Sequence, residues 1–395
     1  MSAMRMKLFR LESETAVLFL VTFFVGSSVS ILAPLIPEIR SEFGLSYTAA
    51  ALVFSSYGIS RVLLSLPSGY LYHRINRKIL LAAGVVLMAV SSVLAFYSSS
   101  VIQFILSQAI MGAGFSFCIT TIIISLSMAS ERKNRGKIMG MNTFARSAAA
   151  VAAPAAAGFI AVVFSWRMVF MFYALAMLGT LFLVLFYIKG KEIPGKEEKE
   201  AAGWKKNNVN YILAVLFMTS FLATFSTAGF KSNVVPLYGR DVLNLDVATI
   251  SIVLSLMALV HLVTSPVAAW YSDKYGRRIF LLLGLLATML GSFVFLLAGS
   301  LTVLLFSSVL LGFGTLIFVI PVTVMGDITP RNKAGRNYGI LRFVTDLGFV
   351  LGPVHWVIFL MFTASISQQY LQVCSPCWFL CLLTYLSRSL ECTQG

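Results

Sequence analysis

Twelve long apolar runs divide the chain, and they constrain its fold more than any other feature of the sequence. Each run approaches or exceeds the roughly 20 residues that a helix needs to cross the hydrocarbon core of a bilayer. Only helices or closed barrels satisfy backbone polar groups in lipid, and the strands of barrels are about half as long. The runs therefore predict an all-α polytopic membrane protein. The twelve predicted spans lie near 16–36, 48–71, 79–98, 101–128, 138–164, 166–188, 211–236, 248–271, 279–299, 301–326, 337–362 and 370–386.

The composition leaves little material for a domain outside the membrane. Hydrophobic residues make up 58% of the 395 residues and charged residues 11%, against about 25% charged residues in soluble domains. A polytopic membrane enzyme would need carboxylates or histidines clustered at a membrane face, but the three histidines are dispersed, as His73, His261 and His355. There is also no nucleotide-binding loop. We therefore expect a protein that is not an enzyme, with no cofactor and no metal site.

The basic residues predict how the chain is oriented in the membrane. The N-terminus, the C-terminus and every second break between spans together hold 23 of the 30 Lys and Arg residues. Cytoplasmic loops carry such an excess, so both termini are expected in the cytoplasm of a cell-membrane protein. In a soluble protein the net charge of +15 would indicate nucleic-acid binding. Here the loop bias accounts for the charge, and no nucleic-acid partner is expected.

One long polar stretch, at 189–210, separates two similar halves. It predicts a cytoplasmic linker between an N-terminal six-helix bundle (1–188) and a C-terminal six-helix bundle (211–395). The halves repeat at a fixed offset of 200 residues, at which Gly112 and Gly114 recur as Gly312 and Gly314. Two pseudo-symmetric bundles of this kind are typical of secondary transporters, which bind substrate near mid-membrane where the repeats meet.

The loops that follow spans two and eight carry the clearest family signature. The first reads Gly69-Tyr-Leu-Tyr-His73-Arg74-Ile-Asn76-Arg77-Lys78, and the second ends in Asp273-Lys274-Tyr-Gly276-Arg277-Arg278. The second loop resembles the motif Gly-x-x-x-Asp-Arg-x-Gly-Arg-Arg of the major facilitator superfamily. The resemblance covers roughly residues 16–353 and implies conformational gating by both loops. In the first loop, His73 replaces the acid of the motif, which implies a weaker or pH-sensitive lock.

Spans four, five and eleven extend this resemblance. Span five contains Ala153-Pro154-Ala-Ala-Ala-Gly158, similar to the Gly-Pro-x-x-Gly-Gly of the family's drug/proton antiporters. Span eleven ends in Gly348-Phe-Val-Leu-Gly352-Pro353 and looks like its second-half partner. These residues imply close helix packing. Gln108 stands where span four of the family carries an arginine, to which the antiporters assign a role in proton coupling.

The candidate ionisable residues inside predicted spans are Arg61, Arg146, His261, Arg342 and Asp346. An unpaired ionisable group in the bilayer costs several kcal/mol or more, so each is a candidate functional residue. His261 occupies the position of Arg61 in the repeat. Arg342 and Asp346 are one helical turn apart and can form an ion pair. Asp346 is the one acid that the predicted spans contain, and it is the natural candidate for alternating protonation.

Two interpretations of these charges stay open. They either form structural ion pairs or line a cavity that binds a substrate or protons, a set that would also include Gln108. The resemblance favours proton-coupled export of a small organic solute, similar to drug efflux. The spare positive charge favours an alternative, uptake or exchange of an organic or inorganic anion. The expected partners are a small-molecule substrate, a proton or other coupling ion and the lipid bilayer, and the chain is expected to act as a monomer.

The end of the chain, 354–395, differs from the rest of the sequence. It lacks the glycines and the acidic loop expected around span twelve, and it contains four of the five cysteines. We hypothesise that a change of reading frame near residue 353 left an atypical twelfth span.

Overall fold

A computed structural model describes residues 3–129, 135–190, 206–275, 277–315 and 340–355. The regular structure in these ranges is helical. A 3₁₀ turn at Ala33–Leu35 joins α1 to α2, and a π-helical turn at Phe230–Val234 joins α8 to α9. The helices are α1 Ala3–Leu32, α2 Ile36–Phe43, α3 Tyr47–Arg74, α4 Arg77–Phe96, α5 Val101–Ala129, α6 Arg135–Val163, α7 Trp166–Tyr187, α8 Lys206–Gly229, α9 Val235–Asp241, α10 Val247–Tyr275, α11 Arg277–Leu296, α12 Leu301–Gly314 and α13, 340–355.

Eight helical segments of the described residues are long and apolar enough to cross a membrane. They follow the first eight predicted spans in order. Two shorter apolar helices, Leu282–Leu296 and Leu301–Gly314, correspond to parts of the ninth and tenth. The eight segments are Ser13–Phe43, Tyr47–Ser65, Arg77–Phe96, Val101–Leu126, Ile138–Val163, Trp166–Tyr187, Leu213–Asp241 and Val247–Ala268.

The predicted outer ends of spans one and seven, at 36 and 236, were wrong. Span one continues to Phe43, because α2 still buries Ile36 and Ile39 although its other residues include charged ones. Gly44, whose φ of +61° suits glycine, ends this helix. Span seven continues through the π-helical turn to Asp241. Predicted span twelve, with nearly all of the atypical segment 354–395, lies outside the described residues.

The chain forms two compact units. The first contains Met1–Leu45 and Leu52–Glu198, and the second contains Ser46–Ala51 and Lys199–Gly395. In the first unit α4 packs against both α5 and α7, and α1 packs against α6. In the second unit α12 packs against both α10 and α11.

Helix caps recur at the 200-residue offset. The Ser46 hydroxyl accepts a hydrogen bond from the Ala49 amide (3.2 Å) at the start of α3. Asp246 Oδ1 accepts one from the Thr249 amide (3.1 Å) at the start of α10. Such caps satisfy amides that have no partner within the helix. The hydrogen bond with the Thr249 side chain is the main reason why the pKa of Asp246 lies below its ordinary value of 3.8.

Close helix approaches recur in the same way. A β-carbon on Gly112 would collide with the carbonyl oxygen of Tyr57, and one on Gly312 would lie 2.7 Å from that of Met257. These glycines therefore allow α5 to approach α3 and α12 to approach α10. Buried serines also link α4 to α5 and α11 to α12, through the bonds Ser91 Oγ to Ser107 O (2.7 Å) and Ser307 Oγ to Gly291 O (2.8 Å).

Candidate functional site

Arg61 lies on α3 in the first unit, and its side chain is packed against aromatic rings. The guanidinium carbon is 4.6 Å from the ring centroid of Phe115 on α5 and 5.6 Å from that of Tyr57. The face of an aromatic ring attracts a cation at these distances, and more strongly where water is excluded. The Ser116 hydroxyl also donates to the carbonyl oxygen of Arg61 (3.1 Å), which ties the two helices together here. Half-buried Arg61 is thus held between α3 and α5.

His261 lies midway along α10 in the second unit, and its ring contacts two hydroxyl groups. Its Nδ1 is 2.6 Å from Thr315 Oγ1 and 2.9 Å from Ser265 Oγ. Thr315 follows the last residue of α12, and Ser265 is one turn along α10 from the histidine. The close approach of α12 to α10 at Gly312 is what brings Thr315 to the ring.

The two contacts occupy the same positions in the repeat. Arg61 meets Phe115 in the first unit, and 200 residues later His261 meets Thr315 in the second. Each partner also lies three residues after the glycine that lets its helices approach. The sequence indicated Arg61 and His261 but not their partners. The signal that could have found the partners was the pair of repeated glycines.

Arg342 and Asp346 form an ion pair on α13, with 3.6 Å between Arg342 Nε and Asp346 Oδ2. The aspartate side chain is 4% exposed and the arginine side chain 22% exposed. A β-carbon on Gly348 would lie 2.7 Å from the carbonyl oxygen of Phe221, and one on Gly352 would collide with that of Phe225. The two glycines therefore set α13 directly against α8.

The other candidates within the spans are spread over α5, α6 and α13. Gln108 is 1% exposed on α5, and its Nε2 has no hydrogen-bond partner among the described residues. Arg146 is exposed on α6, and its side chain passes close to Gly26 on α1. All five predicted packing residues are buried: Pro154 and Gly158 within α6, and Gly348, Gly352 and Pro353 within α13.

The first candidate gating loop is held by a buried ion pair that the sequence did not reveal. Arg77 Nη2 donates to Glu14 Oε1 on α1, and the two side chains are 3% and 7% exposed. Arg77 Nε also donates to the carbonyl oxygen of Lys189 beyond α7 (3.1 Å). The Asn76 side chain caps α4 by accepting from the Lys78 amide (3.0 Å). Arg77 therefore connects α1, the start of α4 and the end of α7.

Glu14 corrects the expectation that Asp346 is the one acid within the spans. The described membrane segments also contain Glu14, Glu38, Glu42 and Asp241, and of these four acids Glu14 alone is buried. A residue this close to the N-terminus looked like part of a polar tail, because the apolar run begins only at about residue 16.

The remaining residues of the gating loops have fewer described contacts. The Arg74 guanidinium lies over the Tyr70 ring (4.6 Å), and the Lys274 ammonium lies over the Tyr275 ring (5.4 Å). Nothing lies within 4 Å of a β-carbon placed on Gly69. Gly276 and four side chains are outside the described part of the chain: His73, Asp273, Arg277 and Arg278. The described residues contain no group of three or more His, Cys, Asp or Glu side chains that could hold a metal ion.

Comparison with known proteins identifies the family. The family model described as Major Facilitator Superfamily matches residues 18–245 and 216–365. The chain therefore belongs to the Major Facilitator Superfamily, as its loops and repeat predicted. It is a membrane transporter, and the predicted all-α polytopic fold of two six-helix bundles is confirmed.

Relatives and solved structures give the same assignment. The chain is 23% identical to an MFS-type transporter of Methanocaldococcus jannaschii over 91% of its own length and 94% of the relative's. It is 24% identical to multidrug resistance protein 1 of Bacillus subtilis, over 87% and 89% of the two chains. The quinolone resistance protein NorA of Staphylococcus aureus is 28% identical over 37% of each chain.

Among solved structures, a POT family transporter in complex with 5-aminolevulinic acid aligns with a TM-score of 0.79 at 14% identity. The alignment covers 94% of this chain and 95% of that one. A bacterial homolog of the human lysosomal transporter Spinster aligns with a TM-score of 0.73 at 16% identity, over 91% and 83% of the two chains. At these identities the likeness shows the fold alone.

Proposed function

We propose that the chain is a secondary active transporter that exports a small organic solute in exchange for protons. Transport would proceed by alternating access of two six-helix bundles, 1–188 and 211–395, joined by the cytoplasmic linker 189–210. Both termini would lie in the cytoplasm, as the distribution of Lys and Arg favours. The protein would act as a monomer in the cell membrane, without enzymatic activity and without a cofactor.

The observation that carries this proposal is the pair of equivalent contacts in mid-span. One unit holds the cation Arg61 against Phe115, and the other holds the titratable ring of His261 against Thr315. Ionisable groups at such depth are costly in a membrane and usually mark substrate or proton pathways. An aromatic ring beside a cation also offers apolar contact area to an organic solute.

The Arg342–Asp346 pair supports proton coupling in the same way. A carboxylate buried in a span needs a counter-ion or a proton. Protonation of Asp346 would release Arg342, and deprotonation would restore the pair, so the pair provides two states that a proton exchanges. Gln108 and Arg146 would contribute polar contacts to the solute pathway.

The direction of transport is supported by the relatives. A multidrug resistance protein matches this chain along most of its length, and a quinolone resistance protein matches over a shorter stretch. Both proteins are named for resistance to drugs, which favours export of an organic solute here. The loops containing 69–78 and 273–278 would gate the conformational change.

One observation favours a second candidate, transport of an organic or inorganic anion. The eight described membrane segments and α13 together contain nine Lys and Arg residues, among them Arg61, Arg146, Lys231 and Arg342, against five Asp and Glu residues. The buried acids Glu14 and Asp346 are each engaged with an arginine. Positive charge that exceeds the negative charge would attract an anionic solute.

Proton flux driven by a solute gradient in proteoliposomes tests the two candidates. A panel of cationic, neutral and anionic organic solutes is applied while the internal pH is recorded. Antiport predicts that an inward solute gradient drives protons outward. Asp346→Asn is expected to slow this flux at least tenfold, since the amide cannot exchange a proton. Asp246→Asn, outside the spans, is the matched control and should keep the wild-type flux.

Each possible result of the flux assay leads to a different conclusion. Unaltered coupling in Asp346→Asn would remove this residue from the mechanism. Solute movement without any proton flux in the wild type would refute proton coupling, and a response confined to anionic solutes would favour the second candidate.

A further inference from the structure

Arg146 differs from the other candidate arginines inside the predicted spans because its side chain is exposed. Arg61 and Arg342 are half-buried, the first against aromatic rings and the second beside Asp346. Arg146 lies well inside the membrane segment that begins at Ile138, about 12 Å along the helix axis from its start. An arginine at such depth faces the bundle interior or a water-filled cavity, since hydrocarbon would leave its charge unsolvated. An exposed arginine here therefore indicates a cavity that contains water.

The side of α6 that faces lipid lies opposite Arg146. Successive residues of an α-helix are about 100° apart around the axis, so Phe144 and Arg146 point to opposite sides. Phe159 and Val162 fall on the side of Phe144, and all three of these large apolar side chains are exposed. The side of Arg146 instead carries the buried residues Ala149 and Ala153. The exposure of Arg146 is thus not exposure on the face that lipid covers.

Helix α1 holds the stem of the Arg146 side chain in place. A β-carbon on Gly26 would lie 3.3 Å from Cγ of Arg146, so the glycine leaves the room in which the stem crosses α1. One turn earlier on both helices, the hydroxyl of Thr22 is hydrogen-bonded to the buried side chain of Asn142 (2.8 Å). The two contacts fix the register of α1 against α6. Arg146 therefore has a positioned stem and an exposed side chain on a rigid support.

We propose that Arg146 binds the carboxylate of a monoanionic organic solute. This inference rests on the proposed function and names the class of solute that the first unit selects. A guanidinium is planar, and its fork donates two parallel hydrogen bonds to a carboxylate. It carries five N–H donors, so contacts with the protein leave donors for the solute. The single exposed arginine supplies one positive charge, which matches one carboxylate. Gly26 is a positioning residue for this cation.

Thiol labelling tests whether Arg146 faces water. The five native cysteines are first replaced by serine, and Arg146→Cys is compared with Phe144→Cys in lipid nanodiscs. Both positions are exposed and lie two residues apart on opposite sides of α6. A charged methanethiosulfonate reagent should label Arg146→Cys about tenfold faster or more, because the reactive thiolate forms in water and not in hydrocarbon. Labelling of Arg146→Cys as slow as that of Phe144→Cys would overturn the proposal.

Equilibrium binding to protein in nanodiscs tests the solute class without measuring transport. The probes are tritiated naphthoate and its neutral counterpart naphthamide, which differ in the carboxylate. Arg146→Gln should weaken naphthoate binding about tenfold or more, because hydrogen bonds to a charged group are lost, and should leave naphthamide binding unchanged. Arg146→Lys, which keeps the charge but not the fork, should lie between Arg146→Gln and the wild type. Arg240→Gln, which removes an exposed charge at the end of α9, is the matched control and should bind both probes as the wild type does.

The binding results separate a solute contact from a structural role. Equal weakening of both probes in Arg146→Gln would show that the residue supports the fold, and this would overturn the proposal. Wild-type protein that binds naphthoate no more tightly than naphthamide would overturn it as well. Charge-selective binding that depends on Arg146, in a protein without solute-driven proton flux, would instead refute proton-coupled export and leave the carboxylate site in place.

Discussion

The buried pair of Glu14 and Arg77 provides a sharp test of how the first unit is held together. Glu14→Gln keeps the size of the side chain and removes its charge. Arg77, with its side chain only 3% exposed, would then be a buried cation without its counter-ion. Breaking one partner of a buried ion pair costs about 3–5 kcal/mol of unfolding free energy. We expect a loss in that range for Glu14→Gln, measured by helical circular dichroism during reversible unfolding in mixed micelles.

A second ion pair of the same unit supplies the control. Glu42 pairs with Arg167 (2.5 Å), but the two side chains are 40% and 25% exposed. Exposed pairs contribute only about 0–1 kcal/mol, so Glu42→Gln should cost no more than that. The double variant Glu14→Gln/Arg77→Met should cost less than Glu14→Gln alone, because it leaves no buried charge. Equal costs for Glu14→Gln and Glu42→Gln would refute the argument that burial determines the strength of the pair.

Three further predictions follow from the packing and the helix caps. Asn233 is fully buried in the π-helical turn, and neither of its amide atoms has a hydrogen-bond partner among the described residues. Asn233→Leu should therefore raise the unfolding free energy by about 1–3 kcal/mol. The control Asn142→Leu should lower it, because it breaks the 2.8 Å hydrogen bond from the Thr22 hydroxyl. Gly112→Ala should lower the unfolding free energy by about 1–3 kcal/mol, because the new methyl group meets the backbone of α3. Nothing lies within 4 Å of a β-carbon placed on Gly179, so the control Gly179→Ala should raise the unfolding free energy by about 0.5–1 kcal/mol. Because the pKa of Asp246 is lower in the folded state, its ionised side chain adds to the unfolding free energy. This contribution is complete above pH 3.8 and disappears as the pH falls through the folded-state pKa. Asp246→Asn should lack this pH-dependent component when unfolding is measured across that range.

The sequence predicted the spans well because each must be apolar over a fixed length. It predicted their ends less well, as in α2, where charged side chains interrupt the apolar run. Ile36 and Ile39 are nevertheless buried on one face of that helix. A hydropathy pattern records the average polarity of a segment and not the face that packs.

The candidate site was predicted only in part, for a related reason. Arg61 and His261 stand out because ionisable residues are rare in apolar segments. Phe115 and Thr315 do not, since phenylalanine and threonine are ordinary residues of membrane helices. Each lies 54 residues from its partner, so only the helix packing set by the repeated glycines brings them together. Glu14 was missed because burial depends on Arg77, a residue 63 positions away.

The two units use one backbone arrangement for two kinds of chemistry. At the same register, the first unit holds an arginine and the second a histidine, the residue type whose ordinary pKa lies near physiological pH. A position that served only to join helices would tolerate an apolar residue in both units, since glycine contacts already hold these helices together. Under the proposed function, these ionisable side chains would have separate roles, a permanent charge for the solute in the first unit and an exchangeable proton in the second.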